Sequence, residues 1–189
     1  MANFTAVFDA CVLYPAPLRD LLMSVALSEK FRVKWTDEIH DEWVRNLLKD
    51  RKDLTEDKLR RTIELMNKAI PDSVVSNYEG YIDSLELPDP GDRHVLAAAI
   101  KCQADVIVTN NIKDFPQAIL KKYDIDVQTP DVFLSHLFDL SPTEFCSAVR
   151  QQRARLKNPN HTTEEMLDIF YKQGLPLTVN KLKEVIDLL

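Results

Sequence analysis

The chain has 189 residues, enough for one well-packed core and a small appendage, and its 45% hydrophobic and 29% charged residues suit an ordinary soluble globular protein. A formal net charge of −6 argues against a protein that coats nucleic acid non-specifically. Cys11, Cys102 and Cys146 are far apart and form no CxxC pair, so neither a disulfide frame nor a zinc site is suggested.

Taken in chain order, Phe4 to Phe8 reads as a buried first strand that runs straight into Asp9. Met1-Ala2-Asn3-Phe4 has no basic start of a signal peptide, and apolar stretches such as Leu21 to Leu27 are too short to span a bilayer. The expected location is therefore cytoplasmic. Leu18 to Glu29 has helical apolar spacing, and Phe31 to Trp35 alternates as a short second strand. Thr36 is an N-cap for a helix through Asp50, which carries Ile39, Trp43 and Leu47 on one stripe with Glu42 at its border. Thr55 to Ile70 is a further helix whose outer face holds Lys58, Arg60, Arg61 and Lys68. Residues 71 to 88 read as a loop with one short helix.

Asp89-Pro90-Gly91-Asp92 is a turn that delivers Asp92 to a helix start, where an N-cap role is open to it. The following helix is apolar and small, with Val95, Leu96, Ala98, Ala99 and Cys102, as suits a helix pressed on a sheet. Asp105 to Thr109 is a fully buried strand by composition, and the polar loop Asn110 to Pro116 follows it. Ile125 to Gln128 is the last strand, and Thr129-Pro130 starts a helix with Val132, Phe133 and Leu137. Strands alternating with helices call for a parallel sheet in an α/β sandwich. Ser141-Pro142-Thr143-Glu144 has the pattern of a capping box. From there to Leu189 the chain reads as three helices, separated at Asn158-Pro159-Asn160 and Gly174-Leu175-Pro176. The division expected is residues 1–140 as an α/β domain and 141–189 as a helical extension. The excess of acid lies wholly in the first part, with 17 basic and 24 acidic side chains against 7 and 6 in the second.

A carboxylate at the end of a buried strand is costly, and open α/β sheets place their ligand crevice at that end of the strands. Asp9, Glu42, Asp92 and the Asn111/Asp114 loop all fit such a crevice. Carboxylates about 6 Å apart repel by about 2.8 kcal/mol per pair at an effective dielectric of about 20. A divalent cation would offset this, and oxygen ligands without His or Cys point to Mg²⁺ or Mn²⁺. Such ions hold phosphate groups and activate water.

The order of Asp9, then Thr36-Asp37-Glu38-Ile39-His40-Asp41-Glu42-Trp43, then Asp89-Pro90-Gly91-Asp92-Arg93-His94-Val95-Leu96-Ala97-Ala98-Ala99, then Val108-Thr109-Asn110-Asn111-Ile112-Lys113-Asp114-Phe115-Pro116 resembles the PIN domain. It is most similar to the VapC-type toxin ribonucleases of toxin–antitoxin pairs, over roughly residues 4 to 138. The resemblance implies a metal-dependent endoribonuclease in which Asp9, Glu42 and Asp92 take the metal-binding acidic positions. The family's fourth acid falls in the loop after Thr109, at Asn111 by position or at Asp114 by chemistry, and Asp114 is the residue favoured here. Implied partners are an RNA substrate and a small antitoxin, with no membrane and with a homodimer open.

Other side chains have two readings each. Thr109 would bond the loop backbone or position a water. Arg93 would contact a phosphate or pair with a neighbouring acid. Arg150, Arg153, Arg155 and Lys157, and secondarily Arg60 and Arg61, are candidates to guide RNA, against the plainer alternative of a solvated face. Asp37, Glu38, Asp41 and Asp89 are read as caps or solvated acids. His40, His94, His136 and His161 are read as surface or core polar residues. A phosphatase with Asp9 as nucleophile is disfavoured, because Cys11 stands where its second acid would be. A catalytically degenerate PIN-like module that binds RNA or protein is the alternative function.

Overall fold

A computed structural model describes residues 4–157 and 160–189. The Asn158-Pro159 part of the first helix separator lies outside the described residues. By contacts the chain forms two compact units: Met1–Tyr14 with Phe31–Thr129, and Pro15–Lys30 with Pro130–Leu189.

The first unit is built on four parallel strands, β1 (Thr5–Phe8), β2 (Arg32–Lys34), β3 (Val106–Val108) and β4 (Asp126–Gln128), in the order β2-β1-β3-β4. All four residues of β1 and all three of β3 are buried, as expected for central strands covered on both faces. After β1 the chain enters a single helical turn, α1 (Ala10–Leu13), and then α2 (Ala16–Ala26) of the second unit. After β2 come α3 (Asp37–Asp50), α4 (Glu56–Ala69), the short α5 (Glu79–Ile82) and α6 (Arg93–Lys101). This confirms the α/β class with a parallel sheet and flanking helices.

Local chemistry explains several boundaries. Thr36 accepts from the Ile39 N–H at 3.0 Å and so starts α3, whose buried stripe is Ile39, His40, Trp43, Val44 and Leu47. Asp92 does not act as a cap. The side-chain cap is Asp89, which accepts from the Gly91 N–H at 2.8 Å and closes a 3₁₀ turn over Pro90–Asp92. Between the β3 loop and β4 the chain forms α7 (Gln117–Leu120) and a 3₁₀ turn, a stretch too short for periodicity to reveal.

The basic face of α4 is not a free cationic surface. Arg60 pairs with Asp41 and Glu56, and Arg61 with Glu64, so the proposed second RNA-guiding set is matched by acids on the same surface. These pairs are exposed and contribute little to stability.

One buried group in this unit makes stability pH-dependent. His40 is 1% exposed, sits against Trp35, and accepts from the Trp43 indole N–H at 3.0 Å. Burial lowers its pKa to about 4, against the opposing pull of Asn67, Asp37 and Asp41. The unfolded chain therefore takes up the proton first. This contribution is complete above about pH 6.5 and is lost as pH falls towards about 4, by on the order of 3 kcal/mol. Urea unfolding across that range should show the fall in the unsubstituted chain relative to His40→Gln. Parallel pH profiles for the two proteins would refute it.

The second unit is helical. It contains α2, α8 (Pro130–Leu140), α9 (Pro142–Arg155), α10 (Thr163–Lys172) and α11 (Pro176–Glu184). Contacts thus group α2 and α8 with the last three helices, a partition that differs from a cut at residue 140. Asp131 on α8 fastens this unit by accepting from the Leu177 and Thr178 N–H groups, both at 2.9 Å. Ser141 forms no capping box. Its hydroxyl binds the Glu144 side chain at 2.6 Å, and the reciprocal box is instead made by Thr162 and Glu165.

Candidate active site

In a sheet ordered β2-β1-β3-β4, the chain leaves β1 towards one edge and continues through β3 towards the other. The switch between β1 and β3 opens a crevice at their carboxyl ends. Phe8 pairs with Val108, so the next residues, Asp9 and Thr109, emerge side by side there.

Asp9 is 2% exposed and its carboxylate is held from three directions. It accepts from the Ala10 N–H at 2.6 Å, the Thr109 hydroxyl at 2.6 Å and the Cys11 thiol at 3.0 Å. Burial raises the Asp9 pKa despite these bonds, and the charge of Glu42 raises it further. Thr109 is 0% exposed, and its hydroxyl also accepts from the Asn111 N–H at 3.0 Å. That hydroxyl is thus committed to Asp9 and to the loop backbone, which matches its loop-bonding reading. Burial and the neighbouring Asp9 push the Cys11 thiol up to about 12, so it is a neutral donor here.

The other acids reach the same region through their charges. Burial pushes Asp92 up to about 7, and Asp9, Asp89, Asp114 and Glu42 add to the shift. Asp114 is half-buried at the end of a 3₁₀ turn, whereas Asn111 is exposed at its start. The charge of Asp114 acts on Asp92. Among the described residues, no three His, Cys, Asp or Glu side chains are grouped closely enough to hold a metal ion. The donor chemistry nevertheless fits a hard divalent cation. All four candidates are carboxylates, and Asp92 carries the cost of negative charge that such a cation would relieve.

Glu42 has a partner that the sequence reading passed over. His94 on α6 is 6% exposed; its Nε2 lies 3.4 Å from Glu42 and its Nδ1 3.8 Å from Glu38. Glu38 in turn accepts from the Tyr78 hydroxyl at 3.0 Å. Burial alone would lower the His94 pKa, but the Glu42 contact and the charges of Glu38, Glu42 and Asp9 together raise it. The available signal was a histidine two residues after Asp92 in an otherwise apolar helix, since a buried ring nitrogen needs a partner.

The remaining candidates differ in how engaged they are. Arg93 is half-buried beside Asp92, and its Nε has no hydrogen-bond partner among the described residues. Arg153, in the second unit, donates to the His161 and Leu189 carbonyls at 3.4 Å each, which ties it to its own unit. Arg155 is exposed.

A family model described as a PIN domain matches residues 5–113, more than half of the chain. The chain belongs to the PIN-domain family. A second model, described as the VapC50 C-terminal domain, matches residues 130–184. The chain is also similar to a Mycobacterium tuberculosis (strain ATCC 25618 / H37Rv) protein named "Putative ribonuclease VapC50", with 39% identity over 82 residues. That match covers 43% of this chain and 48% of the relative, so the chain spans about half of the relative's length. No solved structure matches the chain. Among the described residues, no helix is long and apolar enough to cross a membrane.

Proposed function

We propose that the chain is a metal-dependent endoribonuclease that hydrolyses RNA phosphodiester bonds, acting as the toxin of a type II toxin–antitoxin pair in the cytoplasm. The observation that carries this reading is the buried Asp9, held at the carboxyl end of β1 by Thr109, Cys11 and the Ala10 N–H, with Glu42 and Asp92 near enough for their charges to act on one another. The name of the Mycobacterium tuberculosis relative supports the activity.

Asp9, Asp92, Glu42 and Asp114 would hold Mg²⁺ or Mn²⁺. When bound, the ion supplies charge neutralisation at the phosphate and lowers the pKa of water. Asp9 is kept oriented by Thr109, Cys11 and the Ala10 N–H, so little rearrangement is needed at the moment of reaction. Glu42 orients the attacking water. Asn111 orients the loop or a bound water, and Arg93 meets a phosphate oxygen. Arg153 and the exposed Arg155 guide the RNA. A small antitoxin that inserts a cationic or aromatic side chain among the acids would silence the site.

The grouping of carboxylates favours a second reading. Because no three of them stand close enough to cage an ion, a catalytically degenerate module that binds RNA or protein is the competing function. One experiment separates the two. Purified protein should cleave single-stranded or loop RNA with Mg²⁺ or Mn²⁺ and stop in excess EDTA; activity that survives EDTA, or no cleavage with either ion, overturns the proposal. Asp114→Asn should raise the Mg²⁺ concentration for half-maximal cleavage about tenfold, and Asn111→Ala should raise it less. The reverse ranking would give the fourth position to Asn111.

A further inference from the structure

Helix α6 carries Asp92 at its N-terminal boundary and His94 two residues later, and His94 meets Glu42. Glu42 stands on α3 with about a third of its side chain exposed. A glutamate in that setting keeps considerable rotamer freedom, which a catalytic carboxylate must lose. The group that restrains it comes from the core side. His94 is buried and places Nε2 3.4 Å from a Glu42 carboxylate oxygen. On the far side of the ring, Nδ1 is buried without a hydrogen bond and looks towards Glu38 at 3.8 Å. Glu38 does not swing freely either, because the Tyr78 hydroxyl donates to it at 3.0 Å. The contact that restrains Glu42 is therefore the one from His94 Nε2, while Glu38 acts on the ring only through its charge.

We propose that His94 is a positioning residue: its Nε2–H holds Glu42 in place from inside the core. The same short helix then fixes two acids at once, Asp92 directly and Glu42 through His94. This rests on the nuclease reading, and a partner one step removed from a metal-binding acid has effects of about 10–100-fold.

The test uses the side-chain amides as rulers. In His94→Gln the amide nitrogen reaches the place of imidazole Nε2, whereas in His94→Asn it stops at the place of Nδ1. His94→Asn should weaken Mn²⁺ binding, measured without RNA, by about tenfold and lower kcat by about 10–100-fold. KM for RNA should stay within about twofold, since the group touches no substrate. His94→Gln should recover most of both losses, and adding His94→Asn to Glu42→Gln should cost nothing further. Equal impairment in the Gln and Asn variants, or additive losses in the double variant, would overturn the proposal. If His94→Asn fails to fold, His94→Gln decides, with kcat and Mn²⁺ affinity expected within about threefold of the unsubstituted chain; a loss of about tenfold or more in that folded variant also overturns it. Failure of the nuclease reading shows in the unsubstituted chain, which would neither bind Mn²⁺ nor cleave. Failure of the positioning role shows only in the variants.

Discussion

Asp92→Asn is expected to remove RNA cleavage, by about 10³-fold or more, while making the metal-free protein more stable. The two effects have one cause. Burial and the charges of Asp9, Asp89, Asp114 and Glu42 disfavour the ionised carboxyl and raise it to about 7. The charge that would hold a cation is thus a burden on the fold without one. Because the folded pKa lies above the unfolded value, the folded chain binds the extra proton between about pH 4 and 7, and stability falls as pH rises through that window. The asparagine variant lacks this loss. Its advantage should be about 1–2 kcal/mol near pH 8, well under the full linkage value because Asp92 is partly solvated. It should vanish near pH 4. Urea melts at the two pH values, beside a cleavage assay, test both halves. An unchanged cleavage rate, or a variant less stable at pH 8 than at pH 4 relative to the unsubstituted chain, would refute this account.

Thr109→Val should impair both fold and chemistry. The hydroxyl is fully buried, donates to Asp9 at 2.6 Å and accepts from the Asn111 N–H at 3.0 Å. Valine fills the same space but leaves both partners short of a bond, at a cost of about 1–3 kcal/mol. Asp9 also loses a contact that lowers its pKa, so it moves further up. The acidic limb of the pH–rate profile should shift to higher pH, and cleavage at neutral pH should fall about 10–100-fold. Thr109→Ser should restore both. An unfolding midpoint and a pH profile unchanged in Thr109→Val would mean that the hydroxyl has no hold on the site.

The stability linkage of Asp92 and the loss at Thr109 both depend on how far-separated residues meet, and that contact is only partly written in the sequence. The strands were legible, because Thr5–Phe8 and Val106–Val108 are short apolar runs bounded by polar turns. Helix α3 was legible residue for residue, since Thr36 caps it and Ile39, Trp43 and Leu47 repeat at its period. These are local properties of neighbouring residues. The acids Asp9, Glu42 and Asp92 stood out for a similar reason, each at the end of a strand or the border of an apolar helix, where a charge needs an explanation.

What only the tertiary structure decided was which polar group meets which. Asp9 and Thr109 are 100 positions apart, and the parallel register Phe8–Val108 brings them into contact. Strand order set the switch point between β1 and β3, and no local pattern encodes strand order. Arg60 and Arg61 looked like a free basic face until the fold placed Asp41, Glu56 and Glu64 beside them. His94 looked like an incidental polar residue until α6 was set against α3. The sequence alone determined the elements and the residue types at their ends, because propensity, periodicity and capping act over a few residues. The tertiary structure decided partners and charge balance, because hydrogen bonds and Coulombic coupling depend on distances in space that the chain sets only once its strands and helices have packed.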